Sequence, residues 1–220
     1  MVSIQIDHLL YAGPDLAQLG EGFTARSGLR AVQGGRHENW GTHNSLLGLG
    51  SNEYIELIAS EPGASGPWGA LFSRLMGPSL QAWCVRAGNA DVVAAKLEGA
   101  GIATRRVPGG RRLPDGSMLT WELVFPRGHA FGGALPFFID WQGSAHPALS
   151  LEPRATLAWV RVEHPQPDEY ERVLATVGAL PERLKVAAGP RLALRARFET
   201  ASSAFELAGE LDADAYLGEA

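Results

Sequence analysis

The sequence predicts an α+β fold assembled from three successive βαβββ modules. Strand-length apolar segments alternate with single amphipathic helices, and this element order occurs three times along the chain. The 27 glycines and 14 prolines among 220 residues demand many turns, and so many short elements. A chain of this length buries a substantial core.

The first module opens with an apolar strand over residues 4–11, broken by Gly13-Pro14-Asp15. Asp15 caps a helix whose apolar face is Leu16, Leu19 and Phe23, and Gly28 ends it. Strands follow at 29–32, 44–49 and 53–59, with Gly50-Ser51-Asn52 as the hairpin turn between the last two. The second module repeats the order: a strand at 80–85, a helix capped by Asn89 with Val92, Val93 and Leu97, then strands at 102–107, 118–125 and 136–141. Pro114-Asp115-Gly116 supplies a turn, because proline fixes φ and glycine accepts positive φ. The third module runs from a strand at 156–162 through a helix starting at Asp168, with Tyr170, Val173, Leu174 and Val177 inside and Gly178 at its end. Strands at 184–188, 191–198 and 203–208 complete it. Ala82-Trp83 recurs as Ala158-Trp159, and Glu56-Leu57 as Glu206-Leu207, in matching elements. The Gly/Pro-rich stretches 62–78 and 142–153 read as linkers. The expected organisation is therefore residues 1–148 holding two modules (about 1–62 and 79–142), a third module at 154–210, and an acidic tail at 211–220.

A formal net charge of -5 exerts no general pull on phosphate backbones, so nucleic acid is not an expected partner. No apolar run reaches the length of a membrane span, and the N-terminal stretch has no signal-peptide pattern. With Cys84 as the one cysteine, the expectation is a cytoplasmic protein, monomeric or homodimeric, whose partner is a small molecule. Gly-x-Ser-x-Gly, Gly-x-Gly-x-x-Gly and Walker-type loops are absent from the sequence.

The stretch Ile6-Asp7-His8-Leu9-Leu10-Tyr11-Ala12-Gly13-Pro14-Asp15-Leu16 resembles the first strand and helix start of the vicinal-oxygen-chelate superfamily. Tyr54-Ile55-Glu56-Leu57-Ile58-Ala59 resembles its fourth strand. Gly35-Arg36-His37, Gly41-Thr42-His43-Asn44 and Pro136-Phe137-Phe138-Ile139-Asp140-Trp141 are similar to a glyoxalase-like subgroup within it. The resemblance implies that two modules pair into a curled mixed-sheet cup that holds ligand and metal. It also implies metal ligands on the first and fourth strands of each module. The superfamily includes lyases, isomerases, dioxygenases and plain binding proteins, so fold alone does not fix the reaction.

His8 lies mid-strand on the face shared by Ile6 and Leu10, and reads as a metal ligand, a general base or a core-edge histidine. Glu56 is a carboxylate inside an apolar strand, costly to bury without a partner. The resemblance sets these strands side by side, making His8 and Glu56 the expected catalytic pair. They are also the expected ligands of one divalent ion (Zn, Mn, Fe or Ni), with a site holding no metal equally expected. In the second module the matching slots fall at Trp83 or Cys84 and at Ile139 or Asp140, so the four-ligand set is incomplete. A third ligand would come from Asp140, His43, His129 or His146. If Ser51-Asn52 is a two-residue turn, Leu47 opposes Glu56 and His43 shares that face roughly 13 Å further along, at the mouth of the cup. Arg36 and Trp40 suit a lid loop, with Asn44, Trp83, Trp121 and Phe138 as further substrate-contacting candidates.

Two function classes follow. One is a glyoxalase-like enzyme of the lyase, isomerase or dioxygenase type acting on an oxygen-rich or carbonyl-containing metabolite. The other is a metal-free protein that sequesters a small molecule in the same cup, as bleomycin-resistance proteins of this superfamily do.

Overall fold

The computed structural model describes residues 5–63, 65–112, 118–178, 182–214 and 216–218, and the Pro114-Asp115-Gly116 turn lies outside them. The first module comprises β1 (Gln5–Gly13), α1 (Leu16–Ser27), β2 (Val32–His37), β3 (Thr42–Leu49) and β4 (Glu53–Ser60). Asp15 caps α1 by accepting from the Gln18 amide at 2.8 Å. Gly28 ends it at φ 72°, a left-handed conformation that glycine adopts without strain. A short helix, α2 (Pro67–Phe72), occupies the stretch read as a linker. The second module comprises β5 (Ser79–Arg86), α3 (Ala90–Gly99), β6 (Ala103–Arg112), β7 (Met118–Arg127) and β8 (Phe137–Asp140). Asn89 caps α3, accepting from the Val92 amide.

Eight strands form one curled sheet in the order β2-β3-β4-β1-β5-β8-β7-β6. In each half the first strand runs parallel to the fourth, β1 beside β4 and β5 beside β8. The halves meet where β1 and β5 pair antiparallel, with His8 opposite Cys84. His8 also pairs with Tyr54, while Cys84 pairs with Phe137. The two halves are thus related by a pseudo-twofold in which Cys84, Phe137 and Ile139 correspond to His8, Tyr54 and Glu56.

The remaining elements are β9 (Thr156–His164), α4 (Pro167–Val177), β10 (Leu184–Ala188), β11 (Ala193–Glu199) and β12 (Ala204–Glu210). Their order is βαβββ, as the sequence predicts, but their pairing differs from that of the first two modules. The strand order is β10-β9-β11-β12, with β9 parallel to β10 and antiparallel to β11. The helix α4 therefore crosses between neighbouring parallel strands, whereas α1 and α3 connect strands that do not pair.

Side-chain alternation divides the large sheet into two faces. One face carries Leu9, Tyr11, Leu80, Trp83, Val85 and Phe138, and shares a core with Val160, Leu194 and Leu207 of the second sheet. Phe23 of α1 and Phe205 of β12 meet edge to face there, at 5.7 Å. The other face carries Leu10, Ala12, Ala82, Cys84, Phe125, Phe137 and Ile139, joined by Trp68 and Phe72 of α2. Trp40, between β2 and β3, comes within 6.2 Å of the Phe125 ring on β7, so the two ends of the sheet approach each other over this face. Tyr216 and Leu217 are buried, with Tyr216 against His129, so this part of the tail packs on the domain.

Candidate functional site

The inner face of the curl is an open-mouthed pocket, with about 610 Å³ free of protein atoms, part of it open to solvent. Its polar wall comes from the first half of the sheet: His8, His37, Asn44, Tyr54 and Glu56. Its apolar wall comes mainly from the second half, with Leu119, Trp121, Leu123, Phe137, Ile139 and Trp141, and Trp40 and Trp68 also line it.

His8 is 3% exposed, stacked on Tyr54 at 4.7 Å and edge-on to Phe137 at 5.6 Å. Its Nδ1 lies 2.8 Å from Asp7 Oδ1. Adjacent strand residues normally face opposite ways. Here the β1–β5 register skips between Ile6 and His8, leaving Asp7 as the extra residue of a bulge. Asp7 is fully buried, and its Oδ2 meets Arg86 Nε at 2.9 Å, Trp141 Nε1 at 3.0 Å and His146 Nε2 at 3.0 Å. Burial alone would push this carboxyl up. The hydrogen bonds it accepts from His146 and His8 lead the opposing causes, and Asp7 is held well below the usual carboxylate range. An ionised Asp7 only accepts hydrogen bonds, so His8 carries its hydrogen on Nδ1 and presents Nε2 as the free lone pair.

That Nε2 lies 3.6 Å from Glu56 Oε2. Glu56 Oε1 accepts from Asn44 Nδ2 at 2.6 Å. The Asn44 amide cannot be turned round, because its Oδ1 accepts from the Gly35 amide at 2.7 Å. A Cβ at Gly34 would collide with that same oxygen, so glycine is required beside it. His37 Nε2 lies 3.5 Å from Asn44 Nδ2 and 4.0 Å from Glu56 Oε1, and His37 Nδ1 lies 3.0 Å from Thr42 Oγ1.

Of the residues singled out in the sequence, the pocket brings together His8, Glu56, Asn44, Trp40 and Trp121. The others lie elsewhere. His43 turns away because the β3–β4 connection is the three-residue turn Gly50–Asn52, which sets Leu46 rather than Leu47 opposite Glu56. A one-residue change of register exchanges the faces, and Asn44 takes the inward position. Trp83 and Phe138 point to the opposite face, and Trp83 Nε1 donates to the Ala134 carbonyl at 2.6 Å. Arg36 is exposed and paired with Glu61 at 3.1 Å. Asp140 accepts from the Ala90 amide at the start of α3 and from the Gln142 amide. His129 Nδ1 accepts from the Phe131 amide, outside the pocket. His146 reaches Asp7, behind His8. Sequence reasoning missed Asp7, His37, Trp68 and Trp141. The Asp7-His8 adjacency was in view, but strict alternation places the two on opposite faces.

The donor chemistry does not suit a divalent ion. Asp7, His8 and Cys84 bring ligand atoms within 4.8 Å of one another. Yet both Asp7 oxygens already accept hydrogen bonds, and His8 turns its N–H toward Asp7. Burial, with the nearby charges of Asp7 and Glu56, holds the Cys84 thiol well above its ordinary range and so protonated. Between Glu56 and His37 the space is taken by an amide NH₂, a donor where a cation needs acceptors. Asp140, His43 and His129 do not join His8 and Glu56, and His37, which lines the same pocket, has the Asn44 amide NH₂ between it and Glu56.

A model of the glyoxalase-like domain family matches residues 6–178. A hypothetical protein from Staphylococcus aureus shares the fold with a TM-score of 0.63 at 15% identity, over 94% of this chain and 86% of that one. A methylmalonyl-CoA epimerase from Mycobacterium tuberculosis gives a TM-score of 0.45 at 20% identity, over 61% of this chain and 85% of that one. A variant of the Streptomyces coelicolor methylmalonyl-CoA epimerase, in complex with 2-nitronate-propionyl-CoA, gives 0.46 at 18% identity, over 62% and 96%. No curated protein matches the chain.

Proposed function

The chain belongs to the glyoxalase-like domain family, and from that premise we propose that it is a small-molecule enzyme moving a proton at a carbon next to a carbonyl, with His8 as the base. One observation carries this reading: the buried Asp7 fixes the tautomer of His8, so that in the neutral ring the lone pair is on Nε2, which faces Glu56 inside the pocket. In the proposed step His8 Nε2 takes the C–H proton, and the bonding pair moves onto the carbonyl oxygen as an enolate. The resulting imidazolium sits between two carboxylates, Asp7 at Nδ1 and Glu56 at Nε2, which stabilise its charge. Return of the proton to the same carbon, on the opposite face, completes an epimerisation; where that carbon bears a hydroxyl, return to the former carbonyl carbon, with the hydroxyl proton passing to the former carbonyl oxygen, completes an isomerisation. No step depends on a metal.

A metal-free binder is the second reading, favoured by Cys84 and Ile139 at the positions equivalent to His8 and Glu56. Solvent deuterium uptake separates the two. Small hydroxyketones incubated with protein in D₂O should exchange their α-hydrogens. His8→Gln and Glu56→Gln should each slow exchange by roughly 100-fold or more, with melting temperatures close to wild type. Binding without exchange would leave the binder; exchange at wild-type rate in His8→Gln would remove the assigned base.

A further inference from the structure

We infer that the ligand of this pocket is an uncharged molecule with a flat apolar body and a hydroxyl or carbonyl head, not a carboxylate or phosphate ester. The inference rests on the proposed site, whose substrate class it names. Four of the chain's six tryptophans line the one pocket, Trp40 with Trp68 at 4.3 Å and Trp121 with Trp141 at 5.8 Å between ring centroids. The two pairs come from opposite ends of the strand order and converge over the inner face. Such surfaces stack on planar or alicyclic carbon skeletons. The polar atoms gather at the other wall, so the ligand is held head to polar wall and body to rings.

Charge selects against anions. Among the described residues, no lysine or arginine lines the pocket, and Glu56 is itself a carboxylate. The neighbouring guanidinium groups are committed elsewhere. Arg86 binds Asp7 and the Asn52 carbonyl, and Arg36 turns outward to Glu61. An anionic ligand would face Glu56 across an apolar cavity with no guanidinium to pair with it, where a buried like charge is costly. An uncharged head needs hydrogen bonds only. Trp68 Nε1, on a ring lining the pocket, is a buried donor with no partner among the described residues.

The test compares 2-hydroxyacetophenone with benzoylformate, the same phenyl ketone with a hydroxymethyl or a carboxylate end. Affinities are read by ligand-observed NMR competition at pH 8, above the range in which an unperturbed imidazole is charged. The hydroxyketone should bind at least tenfold more tightly than the keto acid. Glu56→Gln should narrow that gap, and Trp121→Ala should weaken the hydroxyketone severalfold while the fold persists by circular dichroism. Equal or tighter binding of the keto acid overturns the inference, as does binding of neither compound. Deuterium exchange in the bound hydroxyketone is scored separately. Preferential binding without exchange leaves the ligand class standing and removes the catalytic reading; exchange with no discrimination against the acid does the reverse.

Discussion

Asp7→Asn keeps the shape of the side chain and removes its charge. The amide would present NH₂ to donors from His8, Arg86, Trp141 or His146, and leave a guanidinium short of its partner. Breaking a buried charged pair in this way should cost on the order of 3 kcal/mol in a denaturant melt. The wild-type carboxyl is held below its ordinary value, so its ionisation stabilises the fold fully above the unfolded value near 3.9 and ceases to do so as pH falls below it. Wild-type stability should therefore drop as pH falls below about 4, and the Asp7→Asn variant should lack that component. At this scale the sequence showed part of the site. His8 and Glu56 were legible because a titratable group in an apolar strand needs a reason to be there. Asp7 is hidden by a bulge, and the register that would turn His43 inward fails because one residue in a turn reverses the face of a whole strand.

At the scale of elements, the helix α2 shows how composition misleads. Residues 62–78 are rich in glycine and proline and read as a linker. Instead the glycines permit close backbone approach. A Cβ at Gly66 would collide with the Trp40 carbonyl, and one at Gly69 with the Gly41 carbonyl. That contact places Trp68 on Trp40 and closes one side of the pocket. Gly69→Ala should therefore cost about 2 kcal/mol of stability and weaken ligand binding, while the more distant Gly77→Ala, with open space at its Cβ, should leave both unchanged. Equal melting temperatures for the two variants would show that α2 is not docked through these glycines. Element order elsewhere followed from local signals, caps and turn residues, which act over a few residues and are visible in one sequence.

Across the whole molecule, strand pairing was the part that local signals did not carry. The third βαβββ segment has the expected order and a different topology, because pairing is decided by which faces must be buried rather than by the succession of elements. Its sheet covers the face of the large sheet opposite the pocket, under Trp83 and Leu80, and Gly209 lies so close to β5 that a Cβ would meet the Leu80 carbonyl. Glu53, 2% exposed at the start of β4, pairs with Arg183 beyond α4 and ties the two sheets together. Arg183→Ala would leave that carboxylate buried without its partner. The expected loss is about 2 kcal/mol, below the range for fully buried pairs because the Arg183 side chain is 35% exposed. Glu53→Gln combined with Arg183→Ala should recover part of it.

The proposed function requires Asp7, His8 and Glu56 to act as a proton-transfer site without a metal. Deuterium uptake into 2-hydroxyacetophenone, measured on protein treated with a chelator and dialysed, tests it most directly. Exchange should continue at the untreated rate and be lost in His8→Gln. Exchange abolished by the chelator and restored by a divalent ion would contradict it, as would exchange that survives in His8→Gln.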